Sequence, residues 1–66
     1  MKIASQKLKF YRKKKKLNIE EICLSSGLEY SLISDWELGK NEDISRAQID
    51  SLIKVLNCRD TDILRG

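Results

Sequence analysis

Residues 17–40 read LNIEEICLSSGLEYSLISDWELGK. Asn18 is followed three residues later by Glu21. In such a capping box the short side chain accepts from the helix's third N–H, and the acid reaches back to the cap's own N–H. Glu20 and Glu21 fall in the first turn, where the helix dipole favours acids. Ile22 and Cys23 are the inward pair, with Ser26 one turn on. Gly27 fits the left-handed residue that closes a helix. A second helix over 29–38 begins after two or three residues. Its Ile33 and Trp36 are three apart and face the core, and Gly39 closes it as Gly27 closes the first. Two short helices across a tight glycine turn make a helix-turn-helix, at about 18–38.

The flanks extend the same pattern. Residues 5–15 form an earlier helix with Leu8, Tyr11 and Lys15 on one face and Phe10 partly beside it; Leu17 then packs inward. Downstream, Ser45 and Gln48 repeat the capping box. Ile49, Leu52, Ile53 and Leu56 form the clearest amphipathic stripe, and Asn57 ends it. Asp60 or Thr61 caps a last short turn holding Ile63 and Leu64. The reading is all-α: five helices, no strands, one domain over 1–66. The expected core is Leu8, Tyr11, Leu17, Ile22, Cys23, Leu28, Ile33, Trp36, Ile44, Ile49, Leu52, Ile53, Leu56, Cys58 and Ile63.

Composition narrows the chemistry. Proline is absent and glycine occurs only three times, too few turn residues for a small sandwich or barrel. There is no histidine, and Cys23 and Cys58 match no metal-ligand spacing, so no metal, cofactor or His-based catalysis is expected. So short a helical chain offers little room for a substrate pocket. Neither an enzyme nor a small-molecule substrate is expected. No apolar run approaches the ~18 residues a membrane helix needs. The basic N-terminus lacks a following apolar stretch. A cytoplasmic protein without a membrane partner is the expectation.

Charge is lopsided. Residues 1–17 carry eight positive charges (Lys2, Lys7, Lys9, Arg12 and Lys13 to Lys16) and no acid. Residues 18–66 carry five positive and ten negative charges, a net of −5. Such a basic block either meets a polyanion or solvates a helix end.

Taken in order, these landmarks resemble the Cro/repressor type (XRE-like) of bacterial and phage helix-turn-helix domain, a compact five-helix, lambda-repressor-like fold. The resemblance rests on Asn18, Glu21, Cys23 (where alanine is usual), Gly27, Ile33, Ser34, Trp36, Glu37, Gly39 and Lys40. Leu8, Arg12 and the 45–56 helix fit it as well, so it covers about 5–64. It implies sequence-specific binding of double-stranded DNA by a transcriptional regulator, expected as a homodimeric repressor, with the third helix in the major groove. Arg12 and Glu37 match a pair that forms a buried salt bridge in relatives.

Within this picture, Tyr30, Ser31, Ser34 and Asp35 are the expected base-reading residues. Asp35 would accept from cytosine N4. Glu29 is expected to satisfy free N–H groups at the helix start. Asn18, Ile19, Lys16, Lys40 and Asn41 are the expected phosphate contacts. By analogy, dimerisation would use Ile63 and Leu64, or Leu56 to Cys58.

The departures are equally specific. Residues 29–38 contain no Arg, Lys, Gln or Asn, the side chains that make the commonest bidentate base contacts. Ile19 stands where glutamine is frequent in relatives. Leu24, Leu32 and Leu38 stand where polar residues are common. Exposed apolar residues can mark a protein interface. They motivate the alternative of a protein-interaction module, such as an antitoxin or regulatory adaptor.

Overall fold

A computed structural model describes all residues, Met1–Gly66. Its five helices are α1 (Ser5–Lys14), α2 (Ile19–Ser26), α3 (Tyr30–Leu38), α4 (Arg46–Leu56) and α5 (Asp60–Ile63). α1 packs on α3 and α5, and α2 packs on α3 and α4. The helix-turn-helix is therefore held between its two flanking helices.

The local signals act where the sequence puts them. Asn18 Oδ1 accepts from the Glu21 N–H at 2.8 Å, and Glu21 Oε1 accepts from the Asn18 N–H at 2.9 Å. Ser45 and Gln48 make the same reciprocal pair at the start of α4. Gly27 and Gly39 close α2 and α3 at φ 77° and 75°. There an L side chain would crowd its own carbonyl, and glycine does not. The last helix differs from expectation. Its cap position is Arg59, not Asp60 or Thr61, and Asp62 Oδ2 accepts from the Arg59 N–H at 2.9 Å.

Ten apolar side chains form the buried core: Ile3, Leu8, Ile22, Ile33, Trp36, Ile44, Ile49, Leu52, Leu56 and Ile63. Tyr11, Leu17, Cys23, Leu28, Ile53 and Cys58 pack against it while half-buried. Phe10 turns out to solvent, and Lys15 is exposed beyond the end of α1. Helical spacing alone placed both too close to the inner face. Burial also removes two of the expected dimer residues. Ile63 and Leu56 are fully enclosed within one chain, while Asn57 is exposed and Leu64 and Cys58 are partly accessible.

The one core residue without a sequence signal is Ile3, completely buried. Residues 1–4 run extended into a cleft between the loop after α3 and the C-terminal turn. Ile3 donates to Glu42 O at 2.8 Å, Ile44 donates to Met1 O at 3.1 Å, and Ala4 donates to Ile63 O at 2.9 Å. Antiparallel bridges pair Lys2 with Asp43 and Ile3 with Leu64. Four residues are too few for any periodicity, so only the assembled fold shows their role.

Candidate nucleic-acid interface

The orientation of α3 follows from its buried residues. At about 100° per residue, Ile33, Trp36 and Glu37 define the inner side. Ser31, Asp35 and Leu38 then fall on the opposite side, with Ser34 at its edge. Ser31 is exposed, Leu38 is 63% exposed, and Ser34 and Asp35 are half-buried. Tyr30 is 53% exposed but sits on the α1 flank. There its phenol lies close to Arg12.

Arg12 and Glu37 lock this orientation. Arg12 Nε donates to Glu37 Oε2 at 2.5 Å, and its Nη2 donates to Oε1 at 2.9 Å, a bidentate fork. Its Nη1 donates to Leu17 O at 3.0 Å. One guanidinium thus ties α1 to α3 and to the turn that leads into α2. Glu37 is only 6% exposed. The hydrogen bond that Arg12 donates to Glu37 outweighs desolvation and raises the Arg12 pKa above its ordinary value.

The loop after α3 is equally well held. Lys40 and Asn41 both donate their N–H to Asp35 O, at 2.9 and 3.3 Å. Asn41 Oδ1 accepts from the Asp43 N–H at 3.0 Å. The Trp36 indole donates to Asp43 O at 2.9 Å, using its polar edge while the ring fills the core. The N-terminal segment pairs with the far side of the loop. Lys40 and Asn41 therefore have a fixed backbone, with the Lys40 ammonium in solvent.

The start of α2 offers less than expected. Both the Asn18 N–H and its side-chain oxygen are consumed by Glu21. Two carboxylates also stand in that first turn. The Ile19 side chain packs against the core, so only its backbone can face an anion. The start of α3 carries no cap: Glu29 makes no side-chain bond there, contrary to expectation.

The lysine block divides. Lys14 lies over the Tyr11 ring, 5.6 Å from its centroid. Lys15 lies near Cys58, whose thiol pKa is pushed up by burial and by Asp62 and drawn down by Lys15. Lys16 adopts a left-handed φ of 57° in the α1–α2 turn, and its N–H donates to Lys13 O at 2.9 Å. Lys13 and Lys16 remain exposed beside the helix-turn-helix.

No family model matches this chain, and no curated protein does. Among solved structures it is similar to the crystal structure of SinR, a master regulator for biofilm formation, in complex with DNA. The TM-score is 0.86 at 24% identity, covering 89% of this chain and 97% of that one. The two chains share one fold. This is the five-helix, helix-turn-helix architecture expected from residues 17–40.

Proposed function

We propose that this chain binds double-stranded DNA sequence-specifically as a transcriptional regulator, in the form of a repressor, with α3 in the major groove. The observation that carries this reading is the fixed pairing of an outward polar face on α3 (Ser31, Ser34, Asp35) with an unpaired cation, Lys40, on the rigid loop behind it. The same fold in a regulator solved on DNA supports it. Charge pairing supports it too. The acids 42, 43, 50 and 60 are matched by Arg65, Lys2 and Arg46 on the rest of the surface. Lys9, Lys13, Lys16 and Lys40 stay free to meet a polyanion.

In this reading Ser31, Ser34 and Asp35 face the bases, with Tyr30 beside them on the α1 flank. Lys40, Asn41, Lys16, the remaining amide hydrogens of Asn18 and the Ile19 N–H face phosphate. Arg12 and Glu37 are structural. Two copies would place their α3 helices in successive major grooves about 34 Å apart, so a homodimer is part of the proposal. Neither catalysis nor a small-molecule substrate enters it. Action on DNA in the cytoplasm is part of the proposal; no helix is long and apolar enough to cross a membrane.

Site selection from a random duplex library, followed by gel shift, tests this directly. Recovery of a preferred, two-fold related site is expected. Folded protein without any preferred site overturns it. Lys40→Ala should weaken binding to all sequences and lower the slope of log K against log salt by about 1.

A second reading draws on Leu24 and Leu38, 87% and 63% exposed. They fit a protein-interaction module such as an antitoxin or adaptor. A stoichiometric protein complex combined with absence of DNA affinity would favour it.

A further inference from the structure

Of the five acids from 29 to 43, three are paired, and the exposed Glu29 precedes α3 without a side-chain bond. Glu37 is paired with Arg12, while Glu42 and Asp43 are paired with Arg65 and Lys2. Asp35 belongs to none of the chain's ion pairs, and its carboxylate accepts no hydrogen bond. It nevertheless sits half-buried on the outward side of α3, one turn from Ser31. No cationic or amide side chain lies anywhere on that helix.

We infer that Asp35 is a specificity residue that works mainly by exclusion, admitting a cytosine at one position of each half-site and rejecting the other bases. This rests on the reading of α3 as the helix in the groove. A carboxylate is an acceptor only. In the major groove guanine offers N7 and O6, both acceptors, and thymine offers O4 and a methyl group. Neither can satisfy Asp35. Adenine offers its N6 donor beside the N7 acceptor, so attraction and repulsion come together. Cytosine offers N4 donors with no acceptor on the same base edge.

A wrong base leaves a negative group without a partner between two phosphate chains. That is selection by an unfavourable contact, a normal source of specificity. It also gives the acid a use that helix α3's lack of arginine, lysine and amides otherwise leaves unexplained.

The test compares wild type with Asp35→Asn and Asp35→Ala by library selection, then by titration of fluorescent duplexes. Wild-type selected sites should carry a cytosine that both variants lose. Changing that base should weaken wild type on the order of tenfold and the variants little. Both variants should also bind non-specific DNA several-fold tighter than wild type, because a charge repelled by phosphate has gone. Circular dichroism verifies that each variant is folded. If wild type selects a site and the variants select the same one with unchanged non-specific affinity, the assignment of Asp35 fails and the DNA-binding reading stands. If wild type selects no site, both fail.

Discussion

Replacing Glu37 with glutamine strips the negative charge from beneath Arg12 while keeping the shape. The amide can accept one of the two guanidinium bonds, now 2.5 and 2.9 Å long, but its NH2 group faces the other donor. Arg12, largely enclosed at 16% side-chain exposure, is left as a buried cation without a counter-charge. Breaking a buried pair from one side costs about 3–5 kcal/mol. At 0.05–0.15 kcal/mol per residue, a chain of 66 residues has a total stability of roughly 3–10 kcal/mol. Glu37→Gln should therefore unfold much of the protein at 37 °C, or lower Tm by about 20–35 °C. Urea denaturation followed at the buried Trp36 gives the free energy. The double variant Arg12→Met with Glu37→Leu should recover most of the loss, because an apolar pair of similar volume needs no desolvation. It should stay about 1 kcal/mol short, since Arg12 also holds Leu17 O. A loss under about 1 kcal/mol for Glu37→Gln would refute this account. So would a double variant as unstable as the two single losses added together.

Three further outcomes are expected. Ile3→Ala should cost about 2–4 kcal/mol by urea denaturation, although the residue lies near a terminus, because Ile3 is fully buried; a loss below 1 kcal/mol would mean that the N-terminal segment does not close the core. Lys16→Gly should raise stability by up to about 1 kcal/mol, since glycine relieves the left-handed φ of 57° at some cost in unfolded-chain entropy; a lower Tm would contradict it. Lys2 hydrogen-bonds the Asp43 carboxylate and holds its pKa below the ordinary value. The stability from that pair is present above the usual aspartate range near ~3.9 and is lost as pH falls through the lowered value. A small Tm deficit of Asp43→Asn at pH 7 should therefore shrink on acidification, and a deficit that grows would refute the sign.

The helix-turn-helix was legible because its instructions are local. Asn18 with Glu21, Ser45 with Gln48, and Gly27 and Gly39 each act within four residues, where chain connectivity alone brings the partners together. The stripe from Ile49 to Leu56 likewise needs only the helical repeat. The candidate site was legible less evenly. Ser31 and Asp35 follow from knowing that Ile33 and Trp36 point inward. Tyr30's lean toward Arg12 and the consumption of Asn18 by its own cap do not.

What the sequence by itself determined is the set of helices, most of their ends, and most of the inner face of each. These depend on interactions one to four residues apart. The tertiary structure alone decided that residues 1–4 close the core and brace the loop of Lys40 and Asn41. It alone turned Phe10 and Lys15 out to solvent. It also left Asp35 as the α3 carboxylate that faces outward without a partner. Those outcomes depend on which surfaces meet across the fold, at separations such as the 41 residues between Lys2 and Asp43. No local pattern encodes contacts at that distance.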